Sequence, residues 1–298
     1  NKGAEMRITQ SIMSRNLMQN LNTSREHMSE LQNAAATGKT LTNSSDDPVK
    51  FARVARFRKT LSQYDQYIRN IGNGTGYVDN NAMVMSEFHS LVVESRSIAI
   101  QGADLAQSGH TREVLADRID GIIDQTLSIA NSTYLGKSIF SGTDTNNLEP
   151  FDYDGATVSY SGNDGKVNRR ISEGLDVEIN ITGADLMDSG VFDTLIGIRD
   201  ALRADDTATV ANYLDTLETA SENVLELESN NGLIKSHMIM SESRLEAAIF
   251  NIQSSISDTE DADMAEVIME YNGEELAYEA ALQVTSKALQ LNIMDFIR

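Results

Sequence analysis

Four histidines are the side chains best suited to bind a metal ion or to transfer protons near neutral pH. They are His27, His89, His110 and His237. They lie far apart in the sequence, and no pair has the H-x-x-x-H spacing that places two ligands on one helix face. Cysteine is absent, which excludes thiolate ligands, thiol nucleophiles and disulfides. We therefore expect no catalytic residue and no metal site around the histidines.

Acidic and glycine-rich segments offer two further candidates, and neither predicts a binding site. Four carboxylates in the middle of the chain could bind calcium, but their spacing does not follow an EF-hand loop, and acidic residues are common in turns. They are Asp152, Asp154, Asp164 and Glu173. The segment 70–76 holds three glycines, but it follows a helical pattern rather than the strand that precedes a phosphate-binding loop. The sequence therefore predicts no enzyme, no metal and no cofactor.

The 298-residue chain has a formal net charge of −21, which limits the partners that it can bind. Nucleic-acid binding depends on clustered lysine and arginine, so we expect no nucleic-acid partner. No apolar run reaches the roughly 18 residues of a membrane span, and no basic segment followed by an apolar one opens the sequence. We expect no membrane insertion, and any export would use a route without a cleaved signal peptide.

Both ends of the chain carry larger side chains at steps of three and four residues, the period of one helix face. At the N-terminal end this spacing is typical of a coiled-coil seam. The predicted assembly interface consists of Ile8, Leu17, Leu21, Met28, Leu31, Met264, Ile268, Tyr271, Tyr278, Leu282, Leu289 and Phe296. We expect residues 6–36 and 262–298 to be terminal coiled-coil helices that pair with each other and with neighbouring subunits.

A polar segment interrupts the helical pattern after the N-terminal stripe. Gly38 suits the end of a helix, and Ser45, Asp46 and Asp47 offer acceptors for the free N–H groups of the next helix. Pro48 fits the first helical position, where no backbone donor is needed. The paired carboxylates could also bind a metal, but no histidine accompanies them. We therefore predict a hinge with helix caps.

The rest of the sequence predicts a helical body with a β insert. Residues 37–138 and 190–261 should form a helical rod domain, and residues 139–189, rich in glycine and aspartate, a small β domain. Further features are strands at 157–161, 168–172 and 176–181, a hairpin turn at 163–165, a hinge or turn at 70–76 and a second hinge at 257–261. The fold class is mainly α: an elongated helical bundle formed by the N- and C-terminal halves, with an antiparallel β domain inserted in the middle.

Several stretches of the sequence resemble the bacterial flagellin family. They are Met6–Thr9, the break at 38–48 with Ser45-Asp46-Asp47-Pro48 at its core, Ile139–Thr143 with Pro150-Phe151 and 160–165, and the C-terminal stretches 261–266 and 291–297. Their order matches the family over nearly the whole chain. Two positions depart from it: Ser44 stands where the family usually has proline, and Gly273 lies inside the terminal helix, where glycine costs about 1 kcal/mol relative to alanine.

The resemblance implies a flagellin-like fold and a structural role in the bacterial flagellum. Filament-forming members tend to carry alanine where this chain has Pro48, so the resemblance favours members that join the hook to the filament. The implied partners are copies of the chain itself, hook-associated protein one, flagellin and an export chaperone that binds the C-terminal helix. The implied location is extracellular, at the hook–filament junction, after export through the flagellar type III route.

Three other functions are alternatives to the junction role. A flagellin filament subunit is the near alternative, because it belongs to the same family. A cytosolic coiled-coil scaffold or signalling protein would need a partner-binding module, for which the β insert is the candidate. An enzyme with its site in that insert would need clustered histidines or an ordered carboxylate pair, which the sequence lacks.

Overall fold

The computed structural model describes the backbone of residues 2–296 and the side chains of residue 12 and residues 15–287. Its helices are α1 (Lys2–Thr37), α2 (Pro48–Ala103), α3 (Gly109–Ala130), α4 (Gly183–Asp188), α5 (Val191–Arg203), α6 (Thr207–Glu260) and α7 (Met264–Phe296). Its strands are β1 (Thr133–Tyr134), β2 (Lys137–Ser138), β3 (Phe151–Tyr153), β4 (Val158–Tyr160), β5 (Asn168–Ser172) and β6 (Leu175–Glu178). Consecutive strands pair as antiparallel hairpins, β1 with β2, β3 with β4 and β5 with β6. The predicted fold class, mainly α with small antiparallel β structure in the middle, is confirmed.

The chain divides into two compact units, whereas the three-part division drawn from the sequence stays a prediction. One unit comprises the two ends of the chain, up to Ser62 and from Ala248 onward. The other comprises Gln63–Ala247 and contains the β hairpins. Below, the first is called the terminal unit and the second the central unit.

The main core of the central unit joins helices to the β3–β4 hairpin through a row of aromatic rings. Phe88 of α2 meets Phe192 of α5 edge to face, with ring centroids 5.9 Å apart. Phe192 in turn contacts Phe151 of β3 at 5.6 Å, and Phe151 contacts Tyr160 of β4 at 5.1 Å. Such ring pairs stabilise a core beyond the area they bury. A two-stranded hairpin is only marginally stable alone, so this packing explains why the insert is ordered.

A second core of the central unit holds the β5–β6 hairpin against α2 and α6. Ile71 of α2, Ile171 of β5 and Met238 of α6 have no exposed side-chain surface. The same core explains why α2 has no break at 70–76. The predicted turn at 70–76 is wrong, because α2 continues through it to Ala103.

The glycines of the segment 70–76 allow close packing instead of bending the chain. A Cβ atom added at Gly74 would lie 2.8 Å from Cε of Met238, and one added at Gly76 would lie 2.9 Å from the hydroxyl of Tyr134. Glycine costs a helix about 1 kcal/mol relative to alanine. Burial of large side chains such as Ile71 and Val78 on the same stretch outweighs this cost.

The predicted hairpin turn at 163–165 is also wrong, because it does not join two paired strands. β4 pairs backward with β3, and β5 pairs forward with β6. Asn163 stabilises the connecting segment through its side chain, which accepts hydrogen bonds from the backbone N–H of Thr143 and of Gly165, both at 2.9 Å. The strand β3 was not predicted, because it has only three residues and directly follows Pro150.

A buried arginine fixes the loop between α2 and α3. Arg112 is 5% exposed, and its guanidinium donates to the carbonyl oxygens of Gly102 and Asp104, both at 2.9 Å. It also pairs with the carboxylate of Asp205, in the turn between α5 and α6. A buried guanidinium whose donors are satisfied in this way rigidifies the groups around it. The two turns at this end of the central unit are therefore held together.

Candidate assembly surfaces

The terminal unit is built on an antiparallel pair of helices, α1 and α7. Along α1, residues spaced alternately by four and three turn toward α7: Leu21 and Leu31 are buried, and Leu17, Ser24 and Met28 are half-buried. The hydroxyl of Ser24 donates to the carboxylate of Glu274 on α7. This spacing is the coiled-coil pattern, so Leu17, Leu21, Met28 and Leu31, four of the side chains that were predicted on α1, lie in the seam between the two helices.

The seam residues of α7 differ from those that the sequence suggested. The least exposed positions again follow steps of four and three, and they are Val267, Tyr271, Glu274, Tyr278, Ala281 and Thr285. Tyr271 and Tyr278 were predicted, and both are half-buried in the seam. Val267 and Thr285 were not predicted, although they are 6% and 8% exposed. Small or polar side chains fill much of this face, so residue size alone does not reveal it.

Three other predicted residues of α7 flank the seam and are exposed to solvent. Met264, Ile268 and Leu282 are 40%, 49% and 44% exposed. Ile8 on α1, and Leu289 and Phe296 on α7, lie outside the residues whose side chains the structure describes. The predicted interface therefore holds two kinds of position, those that join α1 to α7 and those that the subunit leaves uncovered.

Three further exposed apolar side chains lie on α7 outside the seam. Met269, Leu276 and Val284 are 68%, 71% and 58% exposed. At 3.6 residues per turn, Met269 and Leu276 fall on the opposite side of the helix from Val267 and Thr285, and Val284 lies about 100° around the helix from those two seam residues. Exposed apolar rows of this kind mark contact surfaces when they are contiguous. We call these three residues the outer row of α7.

The two breaks in the helical chain lie side by side in the terminal unit. The backbone N–H of Thr40 donates to the carbonyl oxygen of Glu260 at 2.8 Å, and the N–H of Ala262 donates to the carbonyl oxygen of Gly38 at 2.9 Å. These bonds form a short antiparallel bridge centred on Lys39 and Asp261. The segment after α1 and the segment before α7 are therefore joined by backbone hydrogen bonds.

A buried carboxylate locks this pair of breaks. The side chain of Glu260 is 3% exposed, and Nη2 of Arg58 donates to its two oxygens at 2.7 and 2.8 Å. The ammonium group of Lys39 also contacts this carboxylate. A buried charge is costly unless it is paired and hydrogen-bonded, and here two cations from different segments satisfy it. Arg58 on α2, Lys39 and the last residue of α6 thus meet at one point.

The predicted hinge residues cap the helices at these breaks. Gly38 follows α1 with φ of +71°, a left-handed conformation that glycine adopts without strain. Asp47 accepts from the backbone N–H of Val49 and of Lys50, both at 3.0 Å, so it serves as the N-cap of α2. Pro48 is the first residue of that helix.

Asp46 stabilises the turn before α2 rather than the helix itself. Its Oδ2 accepts from the backbone N–H of Asn43 at 2.8 Å and of Thr42 at 3.1 Å. Ser45 donates its hydroxyl to the other oxygen at 3.2 Å. The bond from Asn43, followed by those from Thr42 and Ser45, lowers the pKa of Asp46 below its ordinary value. The two aspartates are therefore accounted for by backbone capping.

Sequence reasoning missed the residues that join the breaks, namely Lys39, Arg58 and Glu260. Glu260 stands among other polar residues in the segment 257–261, and its guanidinium partner is 202 positions away. No local spacing distinguishes it from its neighbours. Covariation between positions 58 and 260 among relatives would be the signal that could reveal this contact.

Neither a metal centre nor a membrane helix emerges from the described part of the chain. Among those residues, no group of three or more histidine, aspartate or glutamate side chains could hold a metal ion. Within the same part, no helix is both long enough and apolar enough to cross a bilayer.

Comparison with known proteins places the two halves of the helical structure in one family. A family model described as the bacterial flagellin N-terminal helical region matches residues 8–145, and one described as the bacterial flagellin C-terminal helical region matches residues 214–297. The two matches occur in the expected order and together cover most of the chain. The chain belongs to the bacterial flagellin family. The part between the matches contains the β3–β4 and β5–β6 hairpins with α4 and α5.

Two kinds of relative resemble this flagellin-family chain. It is 28% identical over 185 residues to flagellar hook-associated protein 3 of Salmonella typhimurium, an alignment that covers 62% of this chain and 57% of that protein. It is 22% identical over 279 residues to flagellin of Halalkalibacterium halodurans, which covers 93% of this chain and 92% of that protein. The fold is similar to that of the flagellar junction protein FlgL from Legionella pneumophila, with a TM-score of 0.61 at 13% identity over 70% of this chain and 99% of that chain.

Proposed function

We propose that this flagellin-family chain is a structural subunit that joins the flagellar hook to the flagellin filament. The observation that carries the proposal is its similarity to flagellar hook-associated protein 3, at 28% identity over 185 residues. Pro48 at the start of α2 adds to it, because filament-forming members tend to carry alanine at this position. The role is structural rather than catalytic, since it depends on surfaces that bind other subunits.

The exposed residues of the terminal unit form the surface through which this subunit assembles. The seam between α1 and α7 buries Leu21, Leu31 and Val267. Met264, Ile268 and Leu282 stay exposed and can contact neighbouring subunits. The outer row of α7 adds a second apolar surface on the same helix. Contacts that join different surfaces of identical subunits are heterologous and generate rings or helical assemblies. The proposed arrangement is a short tubular layer of copies of this chain.

The neighbours of this layer follow from its position. Hook-associated protein one binds it on the hook side, and the first flagellin subunits bind it on the filament side. The subunit reaches this extracellular place through the flagellar type III route. Before export, a dedicated chaperone covers α7, whose exposed methionine, leucine and valine side chains would otherwise promote aggregation.

Removal of α7 tests the proposal in the bacterium that encodes the chain. Deletion of residues 264–298 should leave hooks on the cell, abolish filaments and release flagellin monomers into the medium. The unchanged gene, expressed from the same locus, is the control. Normal motility and normal filaments after the deletion would contradict the proposed function.

A flagellin filament subunit is the second candidate, and one observation favours it. The alignment with flagellin of Halalkalibacterium halodurans covers 93% of this chain, so the length of the chain suits a filament subunit as well. The two candidates differ in abundance and position. A filament subunit occupies the whole filament and polymerises by itself, whereas a junction subunit stays in a short zone next to the hook.

A further inference from the structure

The central unit contains an open cleft that the assembly role described above does not use. It lies between α2, the β1–β2 hairpin and β5, and its volume is about 790 Å³. Asn73 and Tyr77 of α2 form one wall, and Val167 and Arg169 form another. This volume lies within the range of sites that hold a ligand or a peptide side chain.

The charge of the cleft is opposite to that of the protein. Lys137, Arg169 and Arg170 line it, and no aspartate or glutamate is among its described lining residues. Arg170 pairs with Asp176 at 2.8 Å, whereas neither Lys137 nor Arg169 forms an ion pair within the described part of the chain. In a chain of net charge −21, a cleft with two such cations attracts a carboxylate-bearing partner.

The rim of the cleft also presents an apolar side chain in an unfavourable conformation. Leu135 has φ of +52°, which a residue with a branched side chain rarely adopts, and it is 85% exposed. Leu135 and Gly136, both at positive φ, form the two-residue turn between β1 and β2, so the geometry of the hairpin accounts for this conformation and presents the side chain to solvent. The cleft therefore offers two cations and an apolar contact at its rim, a combination that suits an acidic peptide better than a small inorganic anion.

We propose that this cleft binds the α2–α3 loop of a second copy of the chain, with Leu105 against Leu135 and the carboxylate of Asp104 near Lys137 and Arg169. Leu105 is 84% exposed, and Asp104 beside it is exposed as well. The hydrogen bonds from Arg112 hold this loop in shape, so little order is lost when it docks.

The loop and the cleft of one copy cannot meet. They are separated along α2 by roughly 30 residues, which is about 45 Å at 1.5 Å per residue. A contact between them must therefore join two subunits head to tail, as a heterologous interface does. The inference rests on the proposed assembly role and names a contact within it.

Cysteine cross-linking tests this contact directly, because the natural chain has no cysteine. The full-length variant Leu105→Cys is mixed under oxidising conditions with a second full-length variant, either Asn168→Cys or Thr145→Cys. Both of these positions line the cleft. A disulfide requires Cα atoms within about 7 Å. We expect a disulfide-linked heterodimer with at least one of the two partners. The matched control replaces Leu105→Cys with Leu225→Cys, at an exposed position on α6. Mixed with the same cleft variants, it should give about ten-fold less dimer.

A second part of the experiment tests whether the positive charges of the cleft attract the loop. Lys137→Ala together with Arg169→Ala in the cleft-bearing partner should reduce cross-linking about ten-fold at low ionic strength, since the attraction between these charges and a carboxylate is lost. The contact would be overturned if Leu105→Cys formed no disulfide with either cleft variant. It would also be overturned if the yield of dimer were equal to that of the Leu225→Cys control.

The two proposals can fail separately. If cells lacking residues 264–298 lose their filaments but no cleft cross-link forms, the docking contact is wrong and the junction role stands. If filaments form normally without those residues, the junction role is wrong whatever the cross-link shows.

Discussion

Nη2 of Arg58 lies 2.7 and 2.8 Å from the two carboxylate oxygens of Glu260, and this contact joins the start of α2 to the end of α6. The carboxylate is buried while the guanidinium is half exposed. The backbone bridge between Gly38–Thr40 and Glu260–Ala262 lies beside it. This contact therefore determines how firmly the two breaks of the terminal unit are held.

Loss of the guanidinium should loosen the bridge. In Arg58→Met the buried carboxylate keeps only Lys39 as a partner, and we expect the unfolding free energy of the terminal unit to fall by about 2 kcal/mol, typical of a lost charged hydrogen bond. Hydrogen exchange at the amides of Thr40 and Ala262 should accelerate correspondingly. Arg53→Met, an exposed arginine on the same helix, is the matched control. Equal exchange rates in the two variants would show that the contact does not stabilise the bridge.

The seam and the outer row of α7 should respond differently to truncation. Leu31→Ala removes a buried seam side chain, so the free energy of unfolding should decrease by about 2 kcal/mol, the lower end for a buried leucine. Leu276→Ala removes a side chain that is 71% exposed and should change it by less than about 0.5 kcal/mol. Urea unfolding of both variants measures this. A large loss for Leu276→Ala would indicate that the outer row serves the fold of the subunit.

Two helical glycines should give opposite results when replaced by alanine. A Cβ atom at Gly197 of α5 would lie 2.3 Å from the ring of Tyr213, whereas one at Gly232 of α6 meets nothing within 4 Å. Gly232→Ala should therefore stabilise the protein by about 1 kcal/mol through helix propensity. Gly197→Ala should lower the melting temperature, because the ring or the helix must move. Calorimetry of both variants checks this, and stabilisation by Gly197→Ala would contradict the close approach.

Tyr77 should make stability depend on pH in the alkaline range. Burial raises its pKa to about 12, against the opposing effect of Arg169, and its hydroxyl donates to the carbonyl oxygen of Ile139 at 2.8 Å. Between about pH 10, where tyrosine ionises in the unfolded chain, and pH 12, the unfolded state releases a proton that the folded state retains. Stability is therefore lost as the pH rises through this window.

The Phe variant isolates this contribution. In Tyr77→Phe the free energy of unfolding should decrease less steeply between pH 10 and pH 12 than in the natural chain, although its value at pH 8 is lower because the hydrogen bond is missing. Chemical unfolding at several pH values provides the comparison. Parallel curves for the two proteins would show that Tyr77 keeps its ordinary pKa.

Local spacing was sufficient to predict the helices and the positions of the breaks. The leucines of α1 recur at steps that only a helix places on one face, and Asp47-Pro48 is an N-cap followed by a first helical residue. The same reasoning failed at 70–76, because the packing of Ile71 and Val78 depends on residues far along the chain. Glycine spacing alone does not indicate whether a helix bends or lets a neighbour approach.

The candidate surfaces were only partly predictable. On α7 the stripe of large side chains suggested Met264, Ile268 and Leu282, whereas the structure buries Val267 and Thr285. The seam accepts small and polar side chains because Ser24 and Glu274 bond across it. The contact between Arg58 and Glu260 joins residues that are 202 positions apart. The basic cleft likewise combines residues from segments dozens of positions apart. Such contacts follow from the fold and not from any local pattern.

The position of the chain in intact flagella tests the central claim most directly. Immunogold electron microscopy with an antibody against the central unit, applied to whole flagella of the bacterium that encodes the chain, locates it without altering the sequence. The proposed function predicts label confined to one short zone between the hook and the filament. Label along the whole filament, as for a flagellin subunit, or no label on the flagellum would contradict it.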